Sequence, residues 1–355
     1  MEQIKIIRNE NPTPKPAPGT ALGFGRYFTD HMFEMDYTRE KGWFDLRIVP
    51  FGNLSLHPAA TVFHYGAEIF EGLKAYRRAD GQIQLFRPEE NIRRMNNSAE
   101  RLRLPQIDEE IFLEALTKLI DIDRDWVPSE SGTSLYVRPF LFGNDEHLGV
   151  HSIDAAKFVI VLSPVGNYYA EGLKPVKIMI ETDDVRAVRG GTGYAKCGGN
   201  YAAANRAGEK AEQLGYSQVL WLDGVERKYI EEVGSMNVMF KIGDEIVTPK
   251  LTGSVLPGIT RKSCVELMKD MGLNVSERLL DVSELIDACE NGKLVEAWGT
   301  GTAAVVSPIG KLSYQGKTYI INNNEIGPLT SKLYDILTGI QWGRIEDTKG
   351  WTRTV

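Results

Sequence analysis

Residues 191–201 read GTGYAKCGGNY, a single lysine, Lys196, set among four glycines and leading straight into an alanine-rich stretch. Glycine is used where backbone must turn sharply or approach a partner closely. An ammonium is a poor nucleophile at neutral pH, so a lysine held in such a place is a candidate for carbonyl chemistry through a Schiff base. A lone loop lysine is more commonly just solvated, so its surroundings have to decide. A phosphate-binding P-loop needs glycine immediately before the lysine and Ser or Thr immediately after it, and here the neighbours are Ala195 and Cys197. The dinucleotide fingerprint, counted from Gly191 and Gly193, needs Gly or Ala where Lys196 itself stands. Both nucleotide readings fail on spacing.

Schiff-base catalysis on pyridoxal phosphate needs an acid at the pyridine nitrogen, a phosphate cradle, a donor to the phenolate oxygen and a hold on the substrate. YIEEVGSMN (229–237) places Glu231 and Glu232 between two predicted strands, with Gly234 close by where backbone can approach a ring. LPGITR (256–261) is a turn feeding a helix, where the N–H groups of Ile259 and Thr260 and the Thr260 hydroxyl suit a phosphate dianion. GTGTAA (299–304) matches the dinucleotide pattern superficially, but a strand interrupted by Pro308 follows where a helix is required; its threonines suit a phosphate or a carboxylate instead. Arg94 sits on a predicted helix after LFRPEEN, with Arg93 turned elsewhere by helical geometry. SLYVRPF alternates, so Tyr136, Arg138 and Phe140 share a strand face, and an arginine buried between two aromatics calls for an anionic partner. HYGAEIFEGLKAY (64–76), with Tyr65, Glu68, Phe70, Glu71 and Gly72, reads equally as core or as pocket wall.

At 355 residues the chain is long enough for two cores. A formal charge of -7, with no basic run or aromatic-basic stripe, argues against a nucleic-acid surface. The three cysteines, Cys197, Cys264 and Cys289, are far apart and lack a CxxC pattern, which fits a reducing compartment and disfavours a metal site. No apolar run approaches the ~18 residues of a membrane span, and the N-terminal stretch lacks a signal-peptide core, so a cytoplasmic protein without a membrane partner is expected.

Residues 1–20 read as an extended arm, 21–164 as a small α+β domain, 165–176 as an inter-domain loop and 177–355 as a larger domain. Strands are predicted at 43–49, 83–86, 134–142 and 157–162, with helices after Pro88 (Ile92, Met95, Ala99, Leu102) and through Phe112, Ala115, Leu116, Leu119 and Ile120. The second half has a strand at 176–181 and one helix carrying Tyr201, Ala204, Ala211 and Leu214 near one face. Short strands follow at 217–222, 235–240, 294–298 and 303–306, with helices at 260–271 and 329–340. Short strands interrupted by few helices point to a barrel-like sheet rather than a doubly wound one.

Taken together, FTDHM (28–32), HYG..IFEG..AY, the LFRP helix, SLYVRP, K.GGNYA, EEVG.MN, LPGITR and GTGTAA resemble, in order and across nearly the whole chain, the motif series of the branched-chain amino acid aminotransferases. The resemblance implies an α+β fold-type IV pyridoxal-phosphate enzyme: a small N-terminal α/β domain, a larger C-terminal pseudo-barrel, and a homodimer whose partner helps wall each site. It implies Lys196 as Schiff-base lysine, Tyr201 at the phenolate oxygen and Glu232 at the pyridine nitrogen. Arg94, Ile259, Thr260 and Thr302 match phosphate ligands. The Ala303 N–H and the Tyr65 hydroxyl match the hold on the substrate carboxylate. Phe24, Phe70, Tyr136 and Val150 resemble side-chain pocket positions, and Arg138 the residue receiving the distal carboxylate of glutamate. The implied reaction is ping-pong transfer of the amino group between L-leucine, L-isoleucine or L-valine and 2-oxoglutarate, through pyridoxal and pyridoxamine phosphate, with the freed Lys196 amine moving the proton. Mammalian members carry a redox CxxC after the GTGTA turn; Ala304 and Ser307 stand there in this chain, so thiol switching is not expected. The rivals are a D-amino acid transaminase or aminodeoxychorismate lyase on the same fold, and a phosphate-binding module without catalysis.

Overall fold

The structure, a computed structural model, describes residues 3–166 and 173–355. By its own contacts the chain forms two compact units, one of Met1–Ala170, Ala195–Gly198 and Gly339–Val355, the other of Glu171–Tyr194 and Gly199–Thr338. The contiguous division into 21–164 and 177–355 therefore differs from the observed units at the lysine segment and at the C-terminus. Half of the expected inter-domain loop 165–176, residues 167–172, lies outside the described residues, and its two end residues, Val165 and Val176, belong to strands.

The first unit contains β1 (Lys5–Ile6), β2 (His31–Thr38), β3 (Gly42–Pro50), α1 (Thr61–Tyr65), β4 (Glu68–Phe70), β5 (Leu73–Arg77), β6 (Ile83–Phe86), α2 (Pro88–Leu102), α3 (Glu109–Ile122), β7 (Ser134–Gly143) and β8 (Ala155–Val165). Among the described residues they form one sheet in the order β1-β3-β2-β8-β7-β5-β6, with β4 also against β7. The β7–β8 ladder runs unbroken from Ser134↔Val165 to Gly143↔Ala156. Period-2 alternation on these strands and 3.6-residue periodicity on α2 and α3 feed one core. Phe33, Leu135, Val137, Phe158 and Ile160 meet Ile92, Met95, Phe112, Leu116 and Ile120 there. Helix α2 starts at Pro88, where a missing N–H costs nothing, and stops at Arg103, whose left-handed backbone returns its N–H to the Ala99 and Glu100 carbonyls. The Asp108 carboxylate caps α3 by accepting from the Glu110 and Ile111 N–H groups.

The second unit contains β9 (Val176–Ile180), α4 (Gly198–Ala202), α5 (Asn205–Gln213), β10 (Gln218–Leu222), β11 (Ile230–Val233), β12 (Met236–Ile242), β13 (Glu245–Pro249), α6 (Ile259–Asp270), β14 (Asn274–Arg278), α7 (Val282–Glu290), β15 (Leu294–Gly301), β16 (Val305–Tyr314), β17 (Lys317–Ile320) and α8 (Pro328–Gln341), with the first residue of α4 and the last residues of α8 counted in the first unit. Strands β11-β10-β9-β16-β15-β12 pair in that order, and β11 also pairs with β12, so the ring closes. This is the barrel-like sheet, with helices at its periphery, and the expected mixed two-domain fold is the one observed. The ring brings the β11–β12 hairpin, the turn after β15 and the start of α6 into one unit.

Two local expectations are corrected. Pro308 does not interrupt a strand: β16 runs through it, and Pro308 is the last residue paired with β15, opposite Trp298. Beyond that point β16 pairs with β9 and β17, so the missing N–H falls where one ladder ends. The single helix expected through Tyr201 and Leu214 is two, broken after Ala202. Its buried face is Ala207 and Ala211, while Leu214 lies past the last helical residue and is exposed.

The C-terminal residues return to the first sheet. Strand β18 (Thr352–Thr354) pairs antiparallel with β6. Gln84 Nε2 donates to the carbonyls of Ile340 at 2.8 Å and Gln341 at 2.9 Å, and Tyr76 packs edge-on against Trp342.

Candidate active site

Lys196 is stitched into the first unit from both sides. Its N–H donates to Ser98 Oγ at 2.9 Å, and its carbonyl accepts from the Phe70 N–H at 2.9 Å. The Gly198 N–H donates to Glu68 Oε1 at 2.5 Å. A Cβ at Gly198 would meet that carboxylate and require it to shift. Ala195 and Cys197 are buried in the core on either side of the lysine. The residue as a whole is half-buried, yet its amine is enclosed by protein: Nζ lies 4.7 Å from the centre of the Phe70 ring. Burial, aided by the Arg94 charge and opposed by Glu71, pushes its ammonium down to about 8.

Arg94 is held beside it. Its Nε and Nη2 donate to the two oxygens of the fully buried Glu71 carboxylate at 2.7 and 2.8 Å. Asn91 Nδ2 and the Gly72 N–H also donate to Glu71, at 2.7 and 3.1 Å. Burial alone would raise the Glu71 carboxyl; the Arg94 guanidinium outweighs it and holds it below the usual carboxylate range. Sequence reasoning finds Arg94 but leaves Glu71 between core and wall. A lone acid inside an apolar run is the signal that marks it, because a buried carboxylate requires a cationic partner.

The aromatic positions collect on the same unit. Arg138 lies over the faces of Phe70 and Tyr136, 4.7 and 5.3 Å from the ring centres, and donates to the Tyr136 hydroxyl at 2.9 Å. No carboxylate of the described residues pairs with it, so the expected anionic partner is replaced by two π faces, and Arg138 Nε is buried without a hydrogen bond. Phe24 meets Tyr136 edge-on at 4.7 Å. Gly72 cannot carry a side chain, because a Cβ there would run into the Tyr136 hydroxyl. Tyr65 and Val150 are exposed, at 42% and 88%, and the Tyr65 hydroxyl accepts from the Gly149 N–H at 2.8 Å.

In the second unit Glu232 faces Asn237 across the β11–β12 hairpin. Its Oε1 accepts from Asn237 Nδ2 at 3.0 Å, and its Oε2 pairs with Arg186 Nε at 2.6 Å, with the N–H turned off the line of contact. Glu231 takes a different partner, the Ser254 hydroxyl, and burial raises its carboxyl. Tyr201 lines a cavity of about 220 Å3 together with Glu232, Arg186 and Leu256. Arg186 carries no motif signature, and sequence reasoning misses it.

Helix α6 starts at Gly258, which offers no side-chain cap, and its first turn holds no acid. The buried Thr260 and half-buried Ile259 therefore head a helix whose N-terminal dipole meets no protein carboxylate on its own first turn. Thr302 and Ala303 occupy the turn between β15 and β16. Val305, the first residue after this turn region, has φ of 60°, a conformation that a β-branched side chain resists at a cost of about 1–3 kcal/mol. Among the described residues no group of His, Cys, Asp and Glu is arranged to hold a metal ion, and no helix is long and apolar enough to cross a membrane.

The protein thus combines a closed barrel-like sheet in one unit with an α+β sheet in the other, and carries a lysine of lowered basicity on the short segment that the chain inserts into the first. The family model for amino-transferase class IV matches residues 68–312. Branched-chain-amino-acid aminotransferase 2 of Bacillus subtilis (strain 168) is 56% identical over 100% of this chain and 97% of its own length. Branched-chain-amino-acid transaminase 1 of the same organism is 53% identical over 98% of this chain and 99% of its own. The crystal structure of the Escherichia coli branched-chain amino acid aminotransferase has a TM-score of 0.76 at 26% identity, covering 91% of this chain and 98% of that one. The crystal structure of a T.th. branched-chain amino acid aminotransferase with pyridoxamine 5'-phosphate has a TM-score of 0.75 at 26% identity, covering 90% and 97%. The chain belongs to the branched-chain-amino-acid aminotransferases of class IV, a class dependent on pyridoxal 5'-phosphate.

Proposed function

We propose that the enzyme moves the amino group between L-leucine, L-isoleucine or L-valine and 2-oxoglutarate by a ping-pong route. The observation that carries this reading is the Lys196 amine, enclosed beside Arg94 and Phe70 with its ammonium pushed down to about 8. Such an amine is largely protonated at neutral pH but gives up its proton far more readily than a solvated lysine. The cofactor, when bound, supplies an aldehyde carbon and an electron-withdrawing ring.

The residues present fit that group. A helix N-terminus without a side-chain cap or a first-turn acid suits its phosphate, so Ile259 and Thr260 would hold it, with Arg94 and Thr302. Tyr201 would donate to the phenolate oxygen, and Glu232 would face the ring nitrogen. Lys196 Nζ would take the proton from the substrate Cα and deliver it to the cofactor C4' carbon, which makes it base and acid in turn. The Ala303 N–H and the Tyr65 hydroxyl hold the substrate carboxylate. Phe24, Phe70, Tyr136 and Val150 wall the side chain with apolar surface, and Arg138 receives the distal carboxylate of glutamate. Walls of this kind separate substrates differing by one methylene by only about 1–3 kcal/mol, so Leu, Ile and Val overlap. The exposure of Tyr65 and Val150 supports a homodimer in which a second copy covers them, acting in the cytoplasm with Cys197, Cys264 and Cys289 as free thiols.

The test is single-turnover spectroscopy of the cofactor-loaded enzyme against a panel of L- and D-amino acids. L-Leucine, L-isoleucine and L-valine should each convert the bound cofactor to its amine form, and 2-oxoglutarate should restore it. Conversion by D-amino acids in preference, or none by the three L-amino acids, sinks the reading. Light scattering on eluted enzyme checks the dimer.

A further inference from the structure

Arg186 is a buried cation that none of the sequence motifs calls for. Its Nε stands 2.6 Å from Glu232 Oε2, and its Nη2 donates to the Gly193 carbonyl at 3.1 Å and to the Ser254 carbonyl. Three segments thus converge on one guanidinium: the acid on β11, the strand-to-helix connection three residues before Lys196, and the loop two residues before the LPGITR turn. Two glycines record how tightly they are packed. A Cβ on Gly193 would collide with Ser254 backbone, and one on Gly258 with the Asn237 amide. Asn237 completes the arrangement, donating from Nδ2 to Glu232 and to the Leu256 carbonyl at 2.9 Å.

Resting on the reading of Glu232 as the partner of the ring nitrogen, we propose that Arg186 is its positioning residue. Arg186 keeps the Glu232 side chain a carboxylate and fixes its place relative to the phosphate turn and the connection that leads into the lysine. A carboxylate as buried as Glu232 is stable as an anion only beside a cation. Without Arg186, Glu232 takes up a proton; an uncharged acid no longer favours a proton on the pyridine nitrogen, and the electron-withdrawing power of the ring falls. Asn237 cannot substitute, because an amide orients the carboxylate but adds no charge.

The full-length enzyme loaded with cofactor labelled with 15N at the ring nitrogen reads this directly. The wild type should show the resonance of a protonated ring nitrogen, and Glu232→Gln that of an unprotonated one. Arg186→Met should follow Glu232→Gln, and Arg186→Lys should restore the wild-type resonance, which a purely structural loss would not. A protonated signal in Arg186→Met alongside an unprotonated one in Glu232→Gln overturns the role of Arg186 alone, as does failure of the lysine rescue. A protonated signal in Glu232→Gln overturns the reading of Glu232 and this role with it. Should Arg186→Met bind no cofactor, 13C-NMR of the Glu232 carboxyl in the apo-protein, assigned through Glu232→Gln, decides. Its titration midpoint should rise by at least about one pH unit in Arg186→Met; an unchanged midpoint overturns the proposal.

Discussion

Each unit contains a buried glutamate held by one arginine and one asparagine, and the two trios are built to opposite ends. In the first unit Glu71 takes both a fork from Arg94 and the Asn91 amide, plus the Gly72 N–H, so all of its capacity is spent inward. In the second, Arg186 spends its terminal nitrogen on two backbone carbonyls and meets Glu232 by charge rather than by an aligned hydrogen bond. The first trio is a carboxylate used to hold an arginine. The second is an arginine used to hold a carboxylate. If Arg94 holds the cofactor phosphate and Glu232 faces the ring nitrogen, as proposed, the functional group is the cation in the bidentate trio and the anion in the other.

The contrast can be broken at several points, the largest first. Lys196→Ala should lower the single-turnover rate with L-leucine by about four orders of magnitude or more, since it removes the amine proposed to carry the proton. Glu71→Ala leaves Arg94 as an uncompensated buried cation and should destabilise the apo-protein by about 3–5 kcal/mol in urea unfolding. The paired change Glu71→Leu with Arg94→Met should recover most of that stability while cofactor affinity stays lost. A pair that recovered both would show that Arg94 does not serve the cofactor.

A pH series tests the lysine itself. Burial, with the Arg94 charge second, holds Lys196 at about 8 in the folded protein, and burial holds Lys74 there too, against 10.5 for the free side chain. Between those values the unfolded chain binds more protons at these two lysines, so their contribution to stability rises with pH from about 8 to 10.5, by at most ~1.4 kcal/mol per unit for each lysine. Above about 9 the buried Cys264 and Cys289 thiols, raised to about 12 and about 11, work in the opposite direction. Below about pH 8 the full penalty applies. Lys196→Met should remove one of the two contributions and flatten the slope; an unchanged slope would mean that the folded amine titrates like a free one. The smallest effect expected is that of the amides. Asn91→Ala and Asn237→Ala should each cost about 1–2 kcal/mol, with Asn237→Ala the more damaging to activity, because Asn237 donates to the acid proposed to face the ring nitrogen.

The elements legible in the sequence are those whose signal is local. Pro88 with Ile92, Met95 and Ala99 states α2 almost completely, as does Asp108 with the Phe112-to-Ile120 stripe for α3, because capping and periodicity are properties of neighbouring residues. The expected helix overruns α5 because Leu214 continues the apolar spacing after the backbone has left the helix. Pro308 looks like a break because sequence cannot tell which face of a strand loses its partner first. Arg186 and Arg189 flank the same short stretch, and nothing in VRAVRG chooses between them; the contacts of Arg186 with Glu232, Gly193 and Ser254, all distant in sequence or unmarked by a motif, do. Arg138 finds aromatic rings where an anion is expected, since period-2 alternation identifies the neighbours on a face but not those arriving from β4.

The return of the C-terminus to the first sheet has a consequence for how the protein is made. Strand β6 receives β18, the Ile83 carbonyl accepts from the Val355 N–H, and the Arg87 guanidinium lies over Trp351 at 4.8 Å. A ribosome adding roughly 5–20 residues per second must therefore produce the whole of Glu171–Thr338 before the first unit can close. For on the order of ten to fifty seconds the β6 edge waits unpaired, and an unpaired edge is the part of a nascent sheet most open to other chains. The N-terminal half is synthesised first and finished last.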